Sequence, residues 1–224
     1  MNEVKERPII FNSEMIRAIL DGFKTQTRRV IKPQPPEWSE VIGPELCHPI
    51  KVDRHGEEYP GEAVYGVYDN FGEWGVRCPY GKPGDRLWVR ETHSWVTLAE
   101  NEFHQDKCKL CRRNKDGYPV HMWYRADDPY IEVPWRPSIC MPRWASRINL
   151  EVKDIRVKRV QEIRPEDCWD EGIMYRGPGY HIPMLNALDD FSKLWDSINA
   201  KRGYSWDSNP WVWVVEIEVD HNEH

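Results

Sequence analysis

The sequence has no run of about 20 apolar residues, the length a helix needs to cross a bilayer. Its opening stretch, MNEVKERPIIF, holds no apolar segment of signal-peptide length. Both absences lead us to expect a cytoplasmic protein. Also missing are the G-x-G-x-x-G, P-loop, G-x-S-x-G and H-E-x-x-H patterns, which removes the common phosphate-cradling, serine-hydrolase and zinc-peptidase motifs. An excess of base is missing too: 31 Lys and Arg face 37 Asp and Glu, a net charge of −6. That balance argues against a protein that coats nucleic acid non-specifically. Phenylalanine is scarce, at 5 residues against 12 Trp and 10 Tyr. Rings with an apolar body and a polar edge suit both core packing and the stacking of flat ligands such as nucleobases. No disulfide framework is expected either. In a reducing compartment Cys47, Cys78, Cys108, Cys111, Cys140 and Cys168 are free thiols or metal ligands.

What is present fits one elaborated domain over 1–224, long enough to bury a core without disulfide or metal support. The 18 Pro and 14 Gly are scattered, which points to many turns and short strands. Arg7 to Phe11 reads as a strand, and Asn12-Ser13 caps a helix carrying Met15, Ile16, Ile19 and Leu20 up to Gly22. Pro33 to Pro60 reads as a long irregular insertion. Ala63 to Tyr68 and Glu73 to Cys78 form a hairpin, and Arg86 to Glu91 forms a strand after the Pro83-Gly84-Asp85 turn. The polar stretch 94–119 is a second insertion. Further strands are expected at Val120 to Arg125, Ser146 to Val160 and Trp211 to Val219. Helices are expected after Arg164-Pro165, ending near Gly172, and over Leu185 to Asn199. Strands with two or three helices between them predict an α+β fold, a small mixed barrel.

Charge is uneven along the chain. Lys24, Arg28, Arg29 and Lys32 stand together with no acidic residue among them, and 136–164 holds eight basic residues against Glu151, Asp154 and Glu162. Basic patches in an acidic shell suit a discrete anionic ligand better than a long phosphate backbone.

Three stretches resemble the ASCH family, a branch of the PUA-like barrels, and especially its larger members from phages and prophages. They are Gly22-Phe23-Lys24-Thr25-Gln26-Thr27-Arg28-Arg29, then Lys82-Pro83-Gly84-Asp85-Arg86-Leu87-Trp88-Val89-Arg90-Glu91, then Glu166 to Ile173 followed by the strand Trp211 to Val219. The resemblance implies a PUA-like barrel with a cleft for a nucleoside, nucleotide or short single-stranded RNA. Some small ASCH proteins are amidohydrolases that deacetylate N4-acetylcytidine with a Lys, a Thr and a Glu. By motif position those roles fall on Lys24, Thr27 and Glu171. This chain is about twice as long as those enzymes, its insertions lying near 33–60 and 94–119.

Chemistry is compatible with that set. A Thr hydroxyl needs a base to attack an amide, a Lys whose pKa is lowered by burial and by Arg28 and Arg29 can supply one, and a Glu can shuttle protons. The competing reading makes Lys24 and Arg28 a solvated helix end and Thr27 a turn residue. Arg28 and Arg29 are expected to bind substrate, with Trp144 and Arg147 nearby to stack a base and hold a phosphate; the alternative is a Trp plug under Arg stems. Arg143 precedes Trp144 and offers a second guanidinium for that phosphate. Trp88, Trp123 and Trp213 are expected in the core. His104, Cys108 and Cys111 offer three ligands for a structural zinc, with Cys47, His48, Cys78, His93 or His121 as a fourth. No cofactor is required for the chemistry. Three functions stay open: an amidohydrolase on an acylated cytidine-like nucleoside, a non-catalytic binder of RNA or a modified base, and, ranked lower, a ribonuclease.

Overall fold

A computed structural model describes residues 4–102, 110–173 and 186–220. Thirteen strands lie among them. In chain order these are β1 (Glu6–Ile10), β2 (Gln26–Val30), β3 (Val41–Cys47), β4 (Ile50–Val52), β5 (Glu58–Pro60), β6 (Val64–Asp69) and β7 (Gly75–Arg77). Then follow β8 (Arg86–Arg90), β9 (His93–Thr97), β10 (Cys111–Arg113), β11 (Pro119–Tyr124), β12 (Asn149–Arg159) and β13 (Trp211–Val219). The α-helices are α1 (Ser13–Leu20), α2 (Pro165–Asp170) and α3 (Ala187–Asn199). The chain is α+β, with strands in several sheets and few helices.

The central sheet runs β1-β8-β12-β13-β2; β1 and β8 are parallel and the other pairs antiparallel. Its spine is β13, whose sequence WVWVVEIEV is apolar at almost every position because both of its faces are covered. Trp213, Val215 and Ile217 face α1 and pack with Phe11, Ile16, Ile19 and Leu87. Val212 and Val214 face the other way and pack with Cys168 of α2 and with Phe191 and Trp195 of α3. The sheet is thus a central layer between helices.

No closed barrel is found among the described residues, and the expectation of one is met only as far as the α+β class. The two edges of the sheet do approach one another: Arg29 Nη2 on β2 donates to the Ile10 carbonyl on β1 at 2.6 Å. A side chain bridges the gap that a backbone ladder would close.

One expectation needs correction, and a second gains detail. The proline-rich stretch 33–60 is not irregular, since it holds β3, β4 and β5. Pro44 is tolerated inside β3 because the register with β6 slips between Ile42 and Glu45, so no ladder donor is needed from it. The stretch 94–119 likewise contains most of β9 and all of β10, joined by β11 into a small sheet over Val120, Met122 and Tyr124. Its alternation is short and polar on the open face, which hid it among charged residues. Of the three Trp expected in the core, Trp213 is fully buried, whereas Trp88 and Trp123 are half-buried.

Helix α1 starts as its sequence predicts. The Asn12 side chain accepts from Met15 N at 2.8 Å, satisfying one of the open donors of the first turn. Replacing Asn12 with Ala is expected to cost about 1 kcal/mol in urea unfolding, with Asn12→Ser close to wild type.

Candidate functional site

The site is assembled where the end of α1 meets the end of α2. Gly22 takes φ 75°, which lets the chain turn back so that the Phe23 and Lys24 amides both donate to the Ala18 carbonyl. The chain then enters β2, with Thr25 N on the Asp170 carbonyl at 2.9 Å and its own carbonyl accepting from Ile217 N at 2.8 Å. On the opposite side Pro165 opens α2, and the Asp167 carboxylate accepts from Arg164 N at 3.1 Å as an N-terminal cap. Glu171 and Gly172 end that helix, Gly172 with φ 75°. A Cβ at Gly172 would stand 3.0 Å from Ala18 Cβ and 3.1 Å from Lys24 Cβ. Backbone conformation and close approach therefore both require glycine there.

These turns bury a cluster of four charges. Lys24 Nζ donates to Glu171 Oε2 at 3.0 Å, to the Glu171 carbonyl at 2.8 Å and to the Gln26 carbonyl at 2.8 Å. Three acceptors for three N–H groups describe an ammonium ion. Arg28 Nη1 donates to Glu171 Oε1 at 3.0 Å and to Gln26 Oε1 at 2.6 Å, and Nη2 donates to Asp167 Oδ2 at 2.9 Å. Lys24 is 3% exposed and Glu171 6%, so the solvated reading of Lys24 and Arg28 does not hold. Burial holds the Lys24 pKa below the ordinary lysine value, with Arg29 and Arg28 adding to the effect and Glu171 opposing it. For Asp167 burial acts upward, but the Arg164 amide and the charge of Arg28 outweigh it and hold the carboxyl below its ordinary 3.8.

Beside this cluster lies a cavity of about 460 Å³. Thr27, Arg28 and Glu171 form part of its wall, and Lys24 sits behind that wall. The Thr27 hydroxyl has no hydrogen-bond partner among the described residues. Four rings line the space: Tyr80, Phe191, Trp195 and Trp213. So do the cations Arg29, Lys32, Arg77 and Arg202. Arg29 lies over the Phe11 ring at 5.0 Å and Lys32 over Tyr204 at 5.1 Å. Among the described residues none of these four is ion-paired, and 174–185, which follow Ile173, contain neither Asp nor Glu. One carboxylate, Glu171, faces a strongly cationic, aromatic space.

Trp144 and Arg147 do not line this cavity. Trp144 packs edge-on against Trp95, with ring centroids 5.4 Å apart. Arg147 forms forked pairs with Glu91 and Asp127 and lies 4.0 Å over the Tyr124 ring. Burial alone would depress the Arg147 pKa, but Glu91 and Asp127 outweigh it and raise it; burial raises that of Glu91 despite its Arg147 partner. Arg143, the other guanidinium of that stretch, pairs with Glu6 through two bonds of 2.9 and 3.1 Å. Arg143 and Arg147 are thus spent on internal carboxylates, and no residue of the basic stretch 136–164 lines the cavity beside Arg28, Arg29 and Lys32. Arg77, Tyr80, Trp195 and Arg202 take its place. Their only sequence signal was membership of the β6–β7 hairpin and of α3 with its following turn.

Of the expected zinc ligands, His104 and Cys108 lie outside the described residues. Cys111 is buried on β10 with its Sγ 3.5 Å from His121 Nδ1, its register partner on β11. Among the described residues no group of three or more His, Cys, Asp or Glu is placed to hold a metal ion.

Removing Glu171 strands two buried cations, whereas removing Lys24 leaves Glu171 still held by Arg28. Glu171→Gln is therefore expected to cost about 3–5 kcal/mol in denaturant unfolding, and Lys24→Met less. Because the folded Asp167 pKa is lowered, its contribution is complete above 3.8 and fades as pH falls through the folded value. Below pH about 4 the melting temperature of wild type should fall more steeply than that of Asp167→Asn. Comparison with family models, curated proteins and solved structures finds no match to this chain.

Proposed function

We propose that the chain is an ASCH-type nucleotide-binding protein of the PUA-like kind, and that its ligand is a nucleotide or a nucleotide unit of a short single strand seated in the cavity beside Glu171. The carrying observation is the cavity wall itself. It sets Arg29, Lys32, Arg77 and Arg202, free of carboxylate partners among the described residues, beside Tyr80 and Trp195, in a protein of net charge −6. Cations that could have been neutralised locally, as Arg143 and Arg147 are, have been left for an anion. Rings supply a face for the base, and guanidinium groups match phosphate oxygens in pairs. The ASCH-like motifs add support, since Lys24, Thr27 and Glu171 converge on this one place. So does the approach of the sheet's two edge strands, which the Arg29 side chain bridges to the Ile10 carbonyl.

A second reading, hydrolysis of an acylated base, is favoured by Thr27. Its hydroxyl has no protein partner among the described residues and lies in the same wall as Glu171. In such a reaction Thr27 Oγ attacks the acyl carbon and its proton leaves toward Glu171. The amine departs with that proton, and water then releases the acid from the acyl-threonine. Lys24 acts here chiefly by holding Glu171, because an ammonium with three acceptors has no lone pair to offer. Its lowered pKa reduces the cost of giving up a proton and taking the base role instead.

Titration with cytidine, cytidine monophosphate and N4-acetylcytidine, read by melting temperature and by chromatography of products, tests both readings. The monophosphate is expected to stabilise the protein more than the nucleoside does. Lys32→Ala with Arg202→Ala should weaken the monophosphate about tenfold or more and leave the nucleoside unchanged. If no nucleotide shifts the melting temperature, the binding reading is wrong. Release of acetate that survives in Thr27→Val would remove the catalytic one.

A further inference from the structure

A second cavity, of about 340 Å³, shares Arg77 with the first in its wall. Its wall combines β1, the β6–β7 hairpin and the turn before β8, and it carries Lys5, Arg7, Lys82 and again Arg77. Among the described residues Asp85 is the single carboxylate there, and it is already satisfied. It accepts from Lys5 N at 3.1 Å, from Lys82 N at 3.2 Å and from Arg7 Nη1 at 3.3 Å. The side chains of Lys5, Lys82 and Arg77 have no carboxylate partner among the described residues. Cys78, also in the wall, adds no negative charge, because burial pushes its thiol up to about 12. Tyr65 is the one ring. Where the first cavity offers four rings and cations, the second offers cations and almost no stacking surface.

We infer that the second cavity is a phosphate subsite, and that it holds the phosphodiester next to a nucleotide seated in the first, so that the ligand is a single-stranded oligonucleotide and not a free mononucleotide. This rests on the reading of the first cavity given above. Arg77, common to both walls, is the link between them: a strand leaving the first cavity past Arg77 enters the second one. The spacing of charge in the ligand favours a strand over a polyphosphate. Neighbouring phosphorus atoms of a polyphosphate are one oxygen apart, whereas successive phosphates of a strand are separated by a whole sugar. Two cavities that share only one side chain suit the second pattern. The poverty of rings agrees, since a sugar and its phosphate need donors and charge but no stacking platform. Both cavities draw on β7, so the β6–β7 hairpin would supply length of grip.

The test compares wild type with Lys5→Ala combined with Lys82→Ala, two side chains with no carboxylate partners whose loss leaves the core intact. Fluorescence anisotropy competition would measure a nucleoside monophosphate, the matching triphosphate, a dinucleotide and hexanucleotides of RNA and DNA at several salt concentrations. Oligonucleotides should bind wild type more tightly than the monophosphate. The double variant should weaken them about tenfold, lower the magnitude of the log–log salt slope by about 1 and leave the monophosphate unchanged. Lys82→Arg alone should behave as wild type. If the monophosphate binds but oligonucleotides bind no better, or if the double variant binds them as wild type does, the inference is overturned while the first cavity keeps its ligand. Loss of triphosphate affinity without loss of dinucleotide affinity would also overturn it, assigning the subsite to a polyphosphate. If neither monophosphate nor oligonucleotide binds wild type, the reading of the first cavity fails and the subsite fails with it.

Discussion

Four buried charges that must neutralise one another fix the geometry of this protein's candidate site. Desolvating any of Lys24, Arg28, Asp167 or Glu171 alone costs several kcal/mol, and each is tolerable only with its partners within hydrogen-bond reach. Because Lys24 and Arg28 flank the start of β2 while Asp167 and Glu171 belong to α2, the requirement ties together segments about 140 residues apart. Little freedom is left in how α2 sits on the sheet. Gly172 follows from the same constraint, since the approach of Lys24 to Glu171 leaves no room for a Cβ. Hydrophobic packing of Cys168 against Val212 and Val214 supplies most of the driving force at this contact, and the ion cluster supplies its register.

Charge outside the cluster divides into two populations. Along 136–164 five of the eight cations pair with carboxylates: Arg143 with Glu6, Arg147 with Glu91 and Asp127, Lys153 with Glu151 and Glu218, Arg156 with Asp154 and Glu216, and Arg164 with Asp167. Around the two cavities Lys5, Arg29, Lys32, Arg77, Lys82 and Arg202 have no such partners among the described residues, and only Arg7 pairs, with Asp85. Unneutralised cations set in concave, partly apolar places raise the positive potential there, because low-dielectric walls focus the field. The surplus of acidic groups elsewhere works in the same direction by discouraging attachment of polyanions to the rest of the surface.

Much of this was legible in the sequence, and what was not has physical reasons. The cap at Asn12, the hairpin around Asp69 to Gly72, the strand at Arg86, and the helix from Pro165 to a glycine stop all rest on local chemistry, which one sequence contains. Lys24 and Glu171 came together on paper only through the motif resemblance, since no spacing rule links residues so far apart. Trp144 and Arg147 were drawn toward the site by residue type alone. Type does not say whether a guanidinium already has a carboxylate, and Glu91 and Asp127 are 56 and 20 residues away from Arg147. Arg77 and Arg202 were overlooked for the converse reason: each looks like an ordinary exposed cation until tertiary structure sets it over a cavity. The strands in 33–60 were hidden by prolines whose missing donors are harmless at a bulge or in a two-stranded ribbon.

The protonation of Lys24 connects these strands of argument. With three acceptors around Nζ, the ammonium form is the one the surroundings are built for, yet full burial beside Arg28 and Arg29 works against that form. Glu171 opposes the effect of burial without cancelling it, and among the described residues its carboxylate is the only one in the wall of the first cavity. An anionic ligand entering that cavity brings further negative charge close to Lys24 and Arg28. It therefore strengthens the ammonium form, and a bound phosphate would make Lys24 a poorer base. A neutral acylated base presented to Thr27 has no such effect. The same cluster can then serve binding with Lys24 in its ammonium form, while catalysis through Lys24 as base would be confined to ligands that keep their phosphates away from Glu171. A strand whose phosphates were held at Arg202 and Lys32 and in the second cavity, away from Glu171, would satisfy that condition, and binding and chemistry would then not compete for the same proton.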